Sequence, residues 1–123
     1  MTRAAELFER LARVGRIGAL RNVRTSYVYH VQNAGDWRVT IDEGAIRIQN
    51  DAPDAEGDAT FTCDEQEFVD MVEGRRKMTT TAMQGRLGFK GDFEHLVVQA
   101  PLFESISPTP PRQKFQAHRE YAK

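Results

Sequence analysis

The sequence holds a single cysteine, Cys63. One thiol makes neither an intramolecular disulfide nor a cysteine-rich metal site, so nothing in the chain requires an oxidising compartment. Long apolar runs are missing too. The run Leu96, Val97 and Val98 is far too short to cross a bilayer. The stretch from Met1 to Phe8 breaks into charge too early for a signal-peptide core, and Tyr121, Ala122 and Lys123 are not a Ser-Lys-Leu type peroxisomal address. A soluble, cytoplasmic protein is the expectation. Histidine is scarce: His30, His95 and His118 stand without a cysteine or acid at ligand or triad spacing. There is no Walker loop, dinucleotide fingerprint or nucleophile elbow. These absences lead us to expect no catalysis, no cofactor and no metal.

An excess of charge of either sign is likewise lacking, with a net charge of −1 over 123 residues. The distribution is uneven. Residues 1–24 carry six arginines against Glu6 and Glu9, residues 25–73 carry twelve acids against Arg38 and Arg47, and residues 74–123 carry nine bases against four acids. Basic ends and an acidic middle can simply attract one another as a solvated surface. They also suit transient contact with an anionic membrane, worth roughly 1 kcal/mol per basic residue near the surface. A pI near 6.3, without aromatics interleaved among the arginines, argues against nucleic acid.

What is present is one domain's worth of alternating elements. Apolar content of 40% and charged content of 28% are those of a globular protein. Residues 2–20 predict an amphipathic helix, with Leu7, Phe8, Leu11 and Val14 at three- and four-residue spacing, weakened towards Gly15 and Gly18. From Tyr27 the period becomes two. Strands at 27–31, 37–41 and 45–49, joined by turns at Asn33 to Asp36 and Asp42 to Gly44, predict an antiparallel meander. Trp37, Val39 and Ile41 share one of its faces. The acidic loop from Asn50 to Gly57 lacks the spacing of a calcium loop and reads as a crossover. Residues 59–63 predict a fourth strand, with Phe61 and Cys63 on one face.

The most legible stretch runs from Asp58 to Phe103. Asp64 and Glu67 have capping-box spacing, Cys63 and Phe68 have staple spacing, and Gly74 supplies a left-handed stop to a helix bearing Phe68, Val69, Met71 and Val72. A thiol beside a helix start is a nucleophile in principle, but the staple explains Cys63 better. Residues 78–83 are too short and too rich in threonine to read as helix from the residues alone. Gly85 to Lys90 alternates as a fifth strand with Leu87 and Phe89 inward. Asp92 is placed to cap a last helix carrying Phe93, Leu96, Val97 and Ala100, which Pro101 is expected to stop. Pro108, Pro110 and Pro111 then open a polar tail.

This order, with Gly74, Gly85, Leu87, Gly91 and Asp92 so placed, resembles the sterol carrier protein type 2 family of nonspecific lipid-transfer domains. The resemblance runs from about Tyr27 to Phe103 and more loosely over the first helix. Its most telling piece is Glu73 and Gly74 followed by Met83 to Asp92, where the family has a glycine-bounded basic strand after a short helical segment. It implies an α+β fold: a five-stranded, mostly antiparallel sheet in the order α-β-β-β-crossover-β-α-β-α, covered on one face by helices, with an apolar tunnel between. It implies a lipid-binding domain over residues 1–106 and a proline-containing tail over 107–123. Fatty acids, fatty acyl-CoA, sterols or similar lipids are the implied ligands, and no catalytic residues carry over. By position, Phe68, Met71, Val72, Met78, Met83, Leu96, Val97, Ala100 and Phe103 would line the tunnel over a floor of Val39, Ile41, Phe61, Leu87 and Phe89. The chain departs from the family's peroxisomal members in lacking their targeting tripeptide, and the proline-bearing tail has no counterpart.

Physical reasoning from the residues leaves two functions open. Unbranched, polarizable methionines at 71, 78 and 83 suit a cavity that accepts more than one ligand. Arg75, Arg76, Lys77 or Arg86 would meet a carboxylate or phosphate at its mouth. The same apolar residues can equally fill their own core. The chain would then be an accessory subunit pairing through the meander edge or the tail, a homodimer being one outcome. Presentation of a hydrophobic substrate to a separate enzyme is a third, weaker reading.

Overall fold

The computed structural model describes residues 2–50 and 56–107. Residues 51–55 of the acidic loop and the tail from 108 lie outside the described residues, so the expectations placed on them are not tested by it. Helix α1 spans Arg3–Val14, capped by the Thr2 hydroxyl, which accepts from the Ala5 amide at 3.1 Å. It is followed by strands β1 (Arg24–Gln32), β2 (Gly35–Asp42), β3 (Ala45–Asn50) and β4 (Ala59–Asp64). Helices α2 (Glu65–Val72) and α3 (Met78–Met83), the short strand β5 (Gly88–Lys90) and helix α4 (Glu94–Glu104) complete the order.

The sheet is five-stranded and mixed, in the order β3-β2-β1-β4-β5. β1 pairs antiparallel with β2 and parallel with β4; β2 with β3 and β4 with β5 are antiparallel. The crossover therefore carries the chain from the outer strand β3 past β2 and β1 to the far side of β1. The β2–β3 hairpin turns on Glu43 and Gly44, both at positive φ. A Cβ at Gly44 would stand 2.9 Å from the Ile17 carbonyl oxygen, so this turn, packed on the segment after α1, needs glycine. That segment also lines the start of β3: the Ile46 amide donates to the Gly15 carbonyl at 2.8 Å.

Register puts Tyr27 opposite Val39, Tyr29 opposite Trp37 and Phe61, and Phe61 opposite Phe89. These side chains share the face that the helices cover, because side chains alternate along a strand. Over the meander, α1 buries Leu7, Phe8 and Leu11. The Phe8 ring stacks on Trp37 with centroids 4.4 Å apart and on Phe68 at 5.0 Å, which ties α1, β2 and α2 into one aromatic core. Ion pairs fasten the outside: Arg3 pairs with Glu73 at 2.9 Å, and the Ala4 amide donates to Glu65 at 3.1 Å.

Several boundaries differ from the sequence expectations. Asp64 caps α2, its carboxylate accepting from the Glu67 amide at 2.7 Å. Glu67 does not close the reciprocal half of a capping box; its carboxylate turns instead to Arg86 at 3.1 Å and Arg76 at 3.5 Å. Residues 78–83 do form a helix. Thr81 is its one buried residue, and the Thr81 hydroxyl donates to the Lys77 carbonyl at 2.7 Å, so that hydroxyl is not left unpaired. The fifth strand shortens to three residues. Asp92 makes no side-chain cap on α4, and Pro101 lies inside that helix rather than ending it. Proline's missing N–H deprives the Val97 carbonyl of its helical donor. Val97 is on the solvent side, 60% exposed, where water serves, and burial of Leu102 and Phe103 holds the following turn in place.

Candidate functional site

The candidate site lies beside α4, whose Phe103 ring meets Tyr29 and Phe68 where the hollow adjoins the aromatic core. Here α2, the α2–α3 turn, α3 and α4 leave space. Gly74 at φ 85° ends α2 and lets the Arg75 amide donate back to the Asp70 carbonyl at 2.8 Å. This stop ends α2 after Val72, and α3 begins separately at Met78. A part-open hollow of about 530 Å³ results, mostly apolar, lined by Met71, Val72, Gly74, Arg76, Lys77, Met78, Thr79, Leu96, Val97, Gln99, Ala100, Phe103 and Glu104. A second hollow of about 380 Å³ lies on the other side of Leu96, lined by Ala82, Met83, Leu87, Phe89, Phe93 and Leu96. Leu96 is the one residue common to both walls.

The fourteen residues expected at a tunnel therefore fall into three groups. Met71, Val72, Met78, Leu96, Val97, Ala100 and Phe103 face the larger hollow. Met83, Leu87 and Phe89 join Leu96 at the smaller one. Val39, Ile41, Phe61 and Phe68 line neither of these spaces and sit in packed core. Exposure varies within the first two groups: Met83 is 81% and Val97 60% exposed, and Ala100 is also outward, whereas Leu96 and Phe103 are buried. The inward stripe of α4 is Leu96, Gln99, Leu102 and Phe103, not Phe93, Leu96, Val97 and Ala100. The helix continues through Pro101, and the apolar pair beyond it sets the inward phase.

The cations expected at the mouth also divide. Arg76 and Lys77 line the larger hollow, Arg76 while also pairing with Glu67 at 3.5 Å and Asp70 at 3.6 Å. Arg75 is engaged by Asp70 at 2.8 Å and Glu73 at 2.6 Å, and Arg86 by Glu67. Sequence reasoning missed Gln99. It is fully buried, its side-chain oxygen accepts from the Tyr29 hydroxyl at 2.6 Å, and its amide nitrogen donates to the His95 carbonyl at 3.0 Å. Burial pushes the Tyr29 hydroxyl well above its ordinary range, so it stays protonated and donates. The three-residue step from Leu96 to Gln99 was the available signal: a polar residue in an apolar stripe.

Groups with chemical potential elsewhere are tied up. Burial first, then Asp64 and Glu67, pushes the Cys63 thiol up to about 12, outweighing the helix N-terminus that would lower it. His30 pairs with Asp36 at 2.6 Å across the first hairpin. The His95 ring is held by the Tyr27 hydroxyl at 2.9 Å. His95, Asp92 and Glu94 bring ligand-type atoms within 4.8 Å of one another. This largely exposed group sits at the start of α4, where the helix dipole disfavours a cation, and we assign it no metal.

The sequence matches the SCP-2 sterol transfer family over residues 6–104. The chain belongs to that family. This SCP-2 chain is 33% identical over 61 residues to hydroxysteroid dehydrogenase-like protein 2 of Danio rerio, a match covering 50% of the chain and 15% of that protein. In fold it is similar to a sterol carrier protein 2 crystal structure, with a TM-score of 0.60, 19% identity, and coverage of 85% of this chain and 95% of the other. It is also similar to part of a double mutant of the sec-alkyl sulfatase PisA1, with a TM-score of 0.68, 17% identity, and coverage of 90% of this chain and 17% of the sulfatase. The chain thus spans about one sixth or less of these two larger proteins. Among the described residues, no helix is long and apolar enough to cross a membrane.

Proposed function

We infer that this domain binds one hydrophobic molecule, a fatty acid, fatty acyl-CoA, sterol or similar lipid, in the space flanking Leu96 and carries or presents it in the cytoplasm. The observation that carries the reading is the mostly apolar hollow of about 530 Å³ between α2, α3 and α4. Its size falls within the roughly 300–1,000 Å³ of small-molecule sites. Burying about ten methylenes at ~0.8 kcal/mol each gives about 8 kcal/mol gross, near micromolar affinity before ordering costs. Methionines 71 and 78 in the wall adapt to chains of different shape. Arg76 and Lys77 at the same wall suit an acidic headgroup.

The two hollows become one tunnel when the Leu96 side chain turns aside. Met83, Phe93 and Val97 are exposed apolar residues around these mouths, and with Lys77, Arg86 and Lys90 they suit transient contact with an anionic membrane during loading. The domain itself performs no chemistry in this reading. Its likeness to short portions of proteins named as a dehydrogenase-like protein and a sulfatase supports presentation of the lipid to an attached or separate enzyme.

Native mass spectrometry of the purified protein, followed by solvent extraction, tests the reading. A heterogeneous set of co-purified lipids is expected. A clean apo mass, with no binding of a fluorescent fatty acid afterwards, would overturn it in favour of an accessory subunit with a self-filled core.

A further inference from the structure

Resting on that carrier reading, we propose that Gln99, oriented by Tyr29 behind it, forms a polar reading head in the wall of the larger hollow, selecting lipids that carry a neutral hydrogen-bond acceptor, a ketone, ester or hydroxyl oxygen, within the apolar body. Gln99 belongs to that wall and is completely buried. A buried primary amide has two N–H donors and a carbonyl acceptor to satisfy. The orientation of the amide is determined by its partners. The His95 carbonyl is only an acceptor, so the group 3.0 Å from it is the nitrogen, and the oxygen faces the Tyr29 hydroxyl at 2.6 Å. One amide N–H is thereby used on His95, and among the described residues the second has no partner. Leaving such a donor unmet in an apolar wall costs free energy that a ligand oxygen would recover.

The surroundings narrow the ligand class. Leu96, Leu102 and Phe103 share the inward face of α4 with Gln99, and the Phe103 ring lies edge-on to Tyr29 with centroids 5.9 Å apart. Among the described residues the site offers the pair no cation; Arg76 and Lys77 contribute to the hollow from the α2–α3 turn instead. An ionised carboxylate at Gln99 would be buried without a counter-charge, which is strongly unfavourable. A neutral oxygen meets no such cost. The hollow thus has two polar addresses, a cationic one at Arg76 and Lys77 for acid headgroups and a neutral one at Gln99. Met71 lies in the same wall and its unbranched side chain can yield to let the ligand oxygen approach.

The test uses three probes of equal chain length, namely tridecane, methyl undecyl ketone and tridecanoic acid, each displacing a fluorescent fatty acid from the purified protein. The parent protein is expected to bind the ketone about tenfold more tightly than the alkane, as one hydrogen bond of roughly 1.4 kcal/mol implies. Gln99→Leu should abolish that preference, bringing the ratio of ketone to alkane affinity to about one. Ketone preference retained in Gln99→Leu overturns the proposal. A second measurement needs no substitution: the Gln99 side-chain amide protons in the parent protein should shift on adding the ketone and not on adding the alkane. Absence of that shift also overturns it. Binding of none of the three probes would refute the carrier reading itself, and this proposal with it. Binding of all three with no ketone preference would leave the carrier intact and remove only the role of Gln99.

Discussion

Replacing Leu96 with tryptophan tests where the ligand sits. Leu96 is buried, and its side chain belongs to the walls of both the 530 Å³ and the 380 Å³ hollows. An indole there has to occupy one of them. If it takes the room of about three methylenes, the loss at ~0.8 kcal/mol each is about 2.4 kcal/mol, or roughly sixtyfold in affinity. The cost to the fold should stay near the low end of the ~1–3 kcal/mol typical of overpacking, because space already exists beside the residue. The assay is titration with a fluorescent fatty acid, alongside far-UV circular dichroism and urea unfolding. Met83→Trp is the paired control. At 81% exposure, Met83 has room for an indole outside the chamber, so this variant should bind within about threefold of the parent, under 1 kcal/mol. Unchanged affinity in folded Leu96→Trp would refute the placement of ligand beside α4. A large loss in Met83→Trp alone would move it to the smaller hollow.

Other consequences concern the frame that holds the site. Asp64→Ala removes the acceptor of the Glu67 amide at 2.7 Å and should cost about 1 kcal/mol in urea unfolding; no change would mean that α2 is held by packing alone. The Cys63 thiol, at about 12 and buried, should resist iodoacetamide at mildly alkaline pH in the native protein and react readily in denaturant. Fast native labelling would contradict its burial. Glu73 is held below the usual carboxylate range by hydrogen bonds from Arg3 and then Arg75, and Asp58 by the Thr25 hydroxyl and then the Ser26 amide. Both folded values lie below the unfolded ones, so their contribution is full above the unfolded values and is lost as pH falls through the folded ones. Stability should therefore decline from about pH 5 downward, and Asp58→Asn should flatten part of that decline. Identical acid profiles for parent and variant would remove Asp58 from the account.

Much of the frame could be read directly because its signals are local. The Asp64 cap, the Gly74 stop and the turn at Glu43 and Gly44 each depend on hydrogen bonds or φ values within a few residues, and each lies where the sequence places it. Period-two alternation located all five strands, the fifth with a longer span than its three paired residues, since one face of each had to be apolar. The last helix was harder. Its apolar residues permit more than one inward stripe, and the proline rule suggests an end at Pro101 that burial of Leu102 and Phe103 overrides. Likewise the threonines of α3 argue against helix until Thr81 is seen buried with its hydroxyl bonded to Lys77.

By itself the sequence determined the strands, helices α1, α2 and α4, their order and the covered face of the sheet from patterns no longer than one element or its neighbours, and the resemblance to the sterol carrier family from the spacing of the whole. Tertiary structure alone decided the parallel pairing of β1 with β4, which brings Tyr29 beside Phe61. It also decided which apolar residues pack and which leave space. Val39, Ile41, Phe61 and Phe68 are closed into core, while Met71, Met78 and Phe103 border a hollow. Both sets are apolar, and phenylalanine occurs in each. Whether an apolar side chain meets another or faces a void depends on how elements distant in sequence fit together, and a residue's own hydrophobicity carries no record of that.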